Sequence, residues 1–527
     1  MRPSAERKQL QFSWRKARCL PPFAIQAFLA RDRVASKGSE NHVPARLSHS
    51  TSASALGYDR ARIVPGFVHL GVGAFHRAHV AAYVDDVLRF DPSWGIIGAS
   101  LRKPDTREAL APQDFLYTHV TRDGTGSQMR VIGSLLDVID ASQQGAALLA
   151  AMTDPRIRVV SLTITEKGYA HDPATGQLDP NHPDILHDLT HPDTPMSAIG
   201  ILVRALEMRR SHGVAPFTVL SCDNLPANGE VTARVVQAFA ALRDMALAEH
   251  IARDVGFPSC MVDRIVPATI AADKQLVLEQ AGFEDAWPVV TEPFSQWVIE
   301  DKFCNTRPDF ERVGVQMVSN VAPYELMKLR MLNGSHSTLA YLGFLAGHEH
   351  VNDTVADPAF RKVIHDLMTQ EVMPILPGSL GDLSSYRDQL LQRFANPALK
   401  HRTWQIAMDG SQKLPQRLLG TIRERLEKGL PVTRLALGIA GWMRYVTGID
   451  EKGRAIEVKD PMAARLRGIA DVAGRDAAQL VRGLLSVKEI FGEDLLENTT
   501  FSTVLTQHLS SLFEFGTAAT VRGIAQG

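Results

Sequence analysis

The chain has 527 residues, too many for one hydrophobic core, and so implies two or three domains. With 45% hydrophobic residues, 22% charged residues and a net charge of −1, its composition is that of a soluble globular protein, and the missing basic face argues against a nucleic-acid partner. No apolar run approaches the roughly 18 residues that span a bilayer, so no membrane partner is expected.

The four cysteines, Cys19, Cys222, Cys260 and Cys304, are scattered without a C-x-x-C pair. That pattern argues against a zinc cluster or a disulfide framework and fits a reducing, cytoplasmic location. The first 50 residues carry ten Lys/Arg against Glu6, Asp32 and Glu40, and lead out through Ser48, Ser50, Ser52 and Ser54. Residues 1–56 therefore read as a basic, disordered extension or a mis-assigned start, with an Arg-rich targeting peptide as the alternative.

Ordered structure is expected from Ile63, where a short strand to Leu70 runs into Gly71-Val72-Gly73-Ala74-Phe75-His76-Arg77-Ala78-His79 and a helix through Val87. A strand, a glycine turn and a helix let backbone N–H groups approach a pyrophosphate without a Cβ in the way. Gly71, Gly73, Phe75 and His76 are the candidate cofactor-binding residues. His76 stands where the fingerprint has its third glycine, so helix and strand must pack differently, and an ordinary tight turn is the competing reading. A second strand, Trp94 to Leu101, ends in Arg102-Lys103-Pro104-Asp105. An acid there grips a ribose 2′-hydroxyl and favours NAD. Arg102 and Lys103 could instead host a 2′-phosphate, which leaves NADP(H) open, and Asp105 reads equally as a helix cap.

Further strands at Met129–Ile132, Arg158–Ile164 and Phe217–Cys222, with helices at 142–152 and 199–210, suggest an open parallel sheet. Ligands bind beyond the carboxyl ends of such strands. That places Thr165-Glu166-Lys167 and Asp223-Asn224 at the crevice, although Asp-Asn after a strand is also a common Asx turn. The fold class is therefore α/β: a Rossmann-like doubly wound domain over 57–318, then a mostly α-helical substrate and catalytic domain over 319–527. Helices are expected at 358–372, 414–428, 433–446, 460–472 and 476–485.

The run from Tyr324 to His336 would open the helical domain. At about 100° per residue, Lys328, Asn333 and His336 share one broad face, with Glu325 a turn before Lys328. Lys and Glu at helical spacing also make an ordinary solvated face. The apolar neighbours Met331, Leu332 and Leu339–Leu342 point instead to burial, which lowers a lysine pKa and makes it a usable general base.

Taken together, Gly71-x-Gly73-x-Phe75-His76-Arg77-Ala78-His79, Ser161-Leu162-Thr163-Ile164-Thr165-Glu166, Ser221-Cys222-Asp223-Asn224, Met261-Val262-Asp263-Arg264-Ile265, Glu292-Pro293-Phe294-x-Gln296-Trp297-Val298 and Lys328-x4-Asn333-x2-His336 resemble the polyol-specific long-chain dehydrogenase/reductase (mannitol dehydrogenase) family. The resemblance runs from about residue 57 to the C-terminus. It implies metal-independent hydride transfer between NAD(H) and a sugar carbonyl or secondary alcohol. By the same resemblance Lys328 is the acid/base, Asn333 and Asn224 stabilise the oxyanion, His336 positions the reacting oxygen and Glu325 assists proton exit. Asp263 and Lys413 match substrate-contacting positions.

Within the family, the run from Asn396 to Arg417 resembles the fructuronate reductase (D-mannonate oxidoreductase) branch, and Gln405 stands where mannitol 2-dehydrogenases usually carry arginine. A uronate carboxylate would want a cationic clamp, for which Arg402, Lys413 and Arg417 are candidates. Mannitol 2-dehydrogenase activity on D-mannitol and D-fructose is the alternative. A non-catalytic, dinucleotide-binding regulator is a third reading, weakened by the presence of the base and both amides. The expected partner is a small sugar acid or polyol, with the chain a monomer or small homo-oligomer.

Overall fold

A computed structural model describes residues 44–52, 55–172 and 175–527. Most of the expected basic extension, residues 1–43, lies outside the described residues. In chain order the strands are β1 (Pro65–Leu70), β2 (Gly95–Ser100), β3 (Tyr117–Arg122), β4 (Ser127–Ile132), β5 (Leu135–Asp140), β6 (Val159–Leu162), β7 (Thr218–Ser221), β8 (Cys260–Asp263), β9 (Val289–Thr291), β10 (Gln296–Glu300) and β11 (Gln316–Val318). Five of them form a parallel sheet in the order β5-β2-β1-β6-β7. Every residue of β6 and β7, and all of β1 but Pro65, is buried, as helices on both faces of a parallel sheet require. In register, Val68 of β1 sits between Ile97 of β2 and Val160 of β6. The strand order reverses at β1, and the crevice beyond the carboxyl ends of β1 and β6 is where such sheets take ligands.

Two sequence expectations need correction here. The Met129–Ile132 strand does not join the parallel sheet. It lies in β4, antiparallel to β3 with Val131 opposite Thr118, in a separate three-stranded sheet with β9. The cause is local: Asp123 accepts from the backbone N–H groups of Thr125 (2.7 Å) and Gly126 (3.2 Å), closing a hairpin between β3 and β4. The ordered body also starts before residue 57. Leu47 and Leu56 are buried against Leu116 and Val131, and the Leu47 N–H donates to the Glu284 carbonyl at 2.8 Å. Two leucines find an apolar seat in a stretch whose average composition is basic and polar.

The helical half surrounds a second core whose buried residues run from Met327 to Val521. Its axis is the helix Gly334–Leu345, buried everywhere but Phe344, against Thr433–Tyr445. Close approach depends on Gly438 and Gly441, where a Cβ would come within 2.6 Å of Thr338 Oγ1 and 2.8 Å of Leu342 Cδ2. Three expected helices are interrupted by π-helical turns, at Lys328–Asn333, Leu367–Val372 and Pro415–Leu419. In the last, Pro415 has no N–H for the regular ladder. Among the described residues no helix is long and apolar enough to cross a membrane.

Candidate active site

A cavity of about 1280 Å³ lies between the carboxyl ends of β6 and β7, the edge of β8, and the two facing π-helical turns Lys328–Asn333 and Pro415–Leu419. Non-glycine residues in left-handed backbone cluster around it: Thr165 (φ 65°), Ala170 (φ 47°), Ala227 (φ 47°) and Asp409 (φ 56°). Such strain persists where surrounding structure enforces it, commonly at functional sites.

Lys328, Asn333, Asn224 and Glu325 all line this cavity. The Lys328 Nζ donates to Asn224 Oδ1 at 2.8 Å. Asn224 is steadied by its neighbour Asp223, whose carboxylate accepts from the N–H groups of Ile164 and Thr165, both at 2.9 Å, and from the Tyr169 hydroxyl at 2.7 Å. Sequence reasoning missed Tyr169, which is buried and has no motif of its own.

In a regular α-helix Lys328 and Asn333 would point about 140° apart. Ring closure from i to i+5, seen in the Gly334 N–H donating to Leu329, stacks Lys328 closer to Asn333. Gly334 permits this, because a Cβ there would meet the Arg417 carbonyl at 2.9 Å.

Burial pushes the Lys328 pKa below its ordinary value, with the Asp263 charge opposing the shift. Burial raises the Glu325 carboxyl to about 7, although the Ala227 N–H at 3.3 Å and Lys328 favour its ionised form. A carboxyl and an amine with opposed shifts one turn apart can pass a proton near neutral pH.

The remaining expected site residues are distributed differently. His336 is 9% exposed and sits one layer behind the wall, its ring 4.9 Å from His401 and 5.3 Å from Phe394, beside a much smaller cavity. Burial drives its pKa well down, so it is a neutral imidazole. Asp263 does not reach the wall either. Both its oxygens accept from Arg393, at 2.7 and 2.8 Å, and Arg393 also donates to Glu292 at 2.8 and 2.9 Å. Arg393 carried no signal in the sequence, since its two acids lie 130 and 101 residues away.

Lys413 and Arg417 do line the cavity. Lys413 Nζ donates to the Met408 carbonyl at 2.6 Å, and Arg417 Nη1 to Ser337 Oγ at 3.1 Å. Among the described residues no carboxylate pairs with Arg417, and burial lowers the pKa of both cations. Arg402 is a correction. Its side chain is 60% exposed beside Glu349 at 3.6 Å, and it does not line the cavity. Gln405 is likewise exposed and outside the wall.

The residues of the glycine turn fit a dinucleotide. Gly71 has φ 95°, and a Cβ on it would lie 2.2 Å from the Thr163 carbonyl, so the turn can close only on glycine. Gly73 is exposed, and a Cβ there would meet nothing nearer than the Gly71 oxygen at 4.0 Å, which leaves its backbone open to a ligand. Phe75 is half-buried and stacks on His79. His76 is fully buried with its ring stacked 3.6 Å from His69, so it performs the helix–strand packing usually left to the third glycine rather than facing the crevice. Asp105 is exposed at the first turn of the helix Asp105–Leu110, just past β2. Arg102 is paired with Asp184. Among the described residues no group of three or more His, Cys, Asp or Glu side chains is arranged to hold a metal ion.

Comparison with known proteins agrees with this architecture. The Mannitol dehydrogenase Rossmann domain matches residues 65–312 and the Mannitol dehydrogenase C-terminal domain matches residues 320–513. The D-mannonate oxidoreductase of Escherichia coli K12 is 48% identical over 465 residues, covering 87% of this chain and 95% of the relative. An uncharacterized oxidoreductase of the same organism is also 48% identical, covering 87% and 94%. The mannitol 2-dehydrogenase of Pseudomonas fluorescens, solved as a ternary complex with NAD and D-mannitol, superposes with a TM-score of 0.81 at 40% identity, covering 91% of this chain and 99% of that one. A parallel sheet with a glycine turn, a lysine–asparagine pair at its crevice and both domain matches lead to one conclusion: this chain is an oxidoreductase of the mannitol dehydrogenase family.

Proposed function

We propose that this chain interconverts D-fructuronate and D-mannonate by hydride transfer with NAD(H), using Lys328 as general acid/base and no metal. The observation that carries this reading is the juxtaposition, in one cavity, of the Lys328–Asn224 pair with two further cations, Lys413, 3.9 Å from Asp409, and Arg417, which makes no salt bridge among the described residues. A neutral polyol has no use for that charge, whereas a sugar acid has a carboxylate to place against it.

Gly71 and Gly73 would hold the dinucleotide's pyrophosphate and Asp105 its adenosine ribose, and the nicotinamide supplies or accepts the hydride. In the oxidative direction neutral Lys328 takes the alcohol proton as the hydride departs. Because Asn224 Oδ1 already accepts from Lys328, its Nδ2 is left to donate to the developing alkoxide, and Asn333 donates from the other side. Glu325 receives the proton from Lys328 and releases it toward solvent. His336, behind the wall and packed against His401 and Phe394, would position the reacting oxygen only indirectly, through the packing of that wall. Asp263, held by Arg393, acts through its charge on Lys328.

Oxidation of D-mannitol to D-fructose is the second reading, favoured by the 40% identical solved enzyme. NADH oxidation by the purified protein with D-fructuronate and D-fructose side by side, repeated with NADPH, separates the two. A clear preference for fructuronate with NADH is expected, and a preference for fructose would overturn the substrate assignment.

A further inference from the structure

After β6 the chain makes a short 3₁₀ turn, Glu166–Tyr169, and Tyr169 at its end is fully buried. The turn is entered and left in left-handed backbone, at Thr165 (φ 65°) and Ala170 (φ 47°), a conformation that neighbours must enforce. Asp223 enforces it. Its Oδ1 accepts from the Thr165 N–H, and its Oδ2 from the Ile164 N–H and the Tyr169 hydroxyl. Burial raises the Tyr169 pKa well above its ordinary value, so the phenol keeps its single proton and spends it on the Asp223 carboxylate. Ser221 Oγ, 2.5 Å from the phenol oxygen, is then the donor of that second bond. From the opposite side Asn228 Nδ2 donates to the Asp223 carbonyl at 3.1 Å. Residue 223 is thus held at both its carboxylate and its carbonyl, and Asn224 follows it directly. Three residues further on, the Ala227 N–H donates to Glu325 at 3.3 Å and holds the far end of the same loop.

We propose that Tyr169 is a positioning residue, whose hydroxyl acts through Asp223 to set the Asn224 amide against Lys328 and so tunes the proton affinity of that base. The inference rests on the roles proposed above for Lys328 and Asn224. Asn224 Oδ1 accepts from Lys328 Nζ at 2.8 Å, and a bond accepted from an ammonium favours the charged form. Lys328 also faces Glu325 one turn before it, Asp263 and Cys260 from β8, Arg393 and Arg417 from the helical half, and His79 behind the glycine turn. Burial and the two arginines lower its pKa, while Asp263 raises it. Removing the Tyr169 hydroxyl leaves all of these in place and loosens Asn224 alone, so the base loses a bond that favours its ammonium form.

The test compares the full-length parent with Tyr169→Phe, Asn224→Ala and the two combined. Lys328 is titrated without cofactor or substrate, by acetic anhydride labelling across a pH series with its peptide quantified by mass spectrometry, since the neutral amine is what reacts. The labelling midpoint should fall by about one pH unit in Tyr169→Phe, fall likewise in Asn224→Ala, and fall no further in the double variant. On whichever sugar the parent turns over, Tyr169→Phe should lower kcat about ten- to a hundredfold and hold KM within about threefold. Added to Asn224→Ala, it should cost less than about twofold more. A purely structural tyrosine would weaken folding and leave the Lys328 midpoint unmoved. The inference is overturned if the Tyr169→Phe midpoint equals the parent's, or if removing the hydroxyl lowers kcat equally with and without the Asn224 amide. A parental kcat in Asn224→Ala would instead overturn the role given to Asn224 in the reaction, and the labelling midpoints then decide this inference alone. If Tyr169→Phe does not fold, Asp223→Asn, which removes the carboxylate at the other end of the same bond, takes its place.

Discussion

Lys328 Nζ and Asn224 Oδ1 meet at 2.8 Å across 104 residues of sequence. One contact thereby joins the end of the parallel sheet to the first turns of the helical half, and it orients the Asn224 amide in the cavity wall.

Removing the base tests that pairing most directly. Lys328→Ala should lower kcat by about 10³-fold, while NADH binding, followed by its fluorescence, stays within about twofold of the parent. Turnover close to the parent's would remove Lys328 from its role. In the parent, oxidation should rise with pH to a plateau whose midpoint lies below the ordinary lysine value of 10.5, since only the neutral amine accepts the proton.

Glu325 titrates at about 7 in the folded protein, against an ordinary 4.5. Its folded pKa is raised, so the stability it contributes is complete below pH 4.5, declines as the unfolded carboxyl ionises, and is lost above about 7. Glu325→Gln should therefore be more stable than the parent at pH 8 by about 2 kcal/mol, allowing for partial solvent screening, and indistinguishable at pH 4. Chemical denaturation at the two pH values measures the difference. The same variant should lose the inflection near pH 7 in its pH–rate profile.

Arg417 supplies the substrate test. Arg417→Leu should raise KM for D-fructuronate by about ten- to a hundredfold, the worth of a charged hydrogen bond, and change KM for D-fructose by less than about threefold. Equal losses on both substrates would mean that Arg417 supports the wall through Ser337 and holds no carboxylate.

Asp105→Ala should improve kcat/KM with NADPH relative to NADH, because the exposed carboxylate at the end of β2 repels a 2′-phosphate. An unchanged cofactor ratio would take Asp105 out of cofactor selection.

Arg393 bridges Asp263 and Glu292 where all three are 7% exposed or less. Arg393→Met leaves two buried carboxylates without a cation and should cost about 3–5 kcal/mol in urea unfolding. A loss below about 1 kcal/mol would show that the acids pick up protons or solvent instead.

Much of this protein was legible in its sequence because the relevant physics is local. Gly71 and Gly73 announced the turn, since only glycine tolerates that backbone and that approach. The apolar runs of β1, β6 and β7 announced buried parallel strands, and Lys328 among apolar neighbours announced a depressed pKa. What the sequence left open depended on partners distant in the chain. Hairpin closure at Asp123 moved Met129–Ile132 to another sheet. The Arg417 backbone pressing on Gly334 accompanies a helical turn widened beyond the regular period, which set Lys328 and Asn333 together and His336 behind them. Arg393 found Asp263 and Glu292 more than a hundred residues away, and Arg402 stayed exposed outside the cavity while Arg417 lined it. Residue type and spacing thus determined which groups could do chemistry, whereas tertiary packing alone decided which of them share the cavity, because burial, charge pairing and helix widening arise only when distant segments touch.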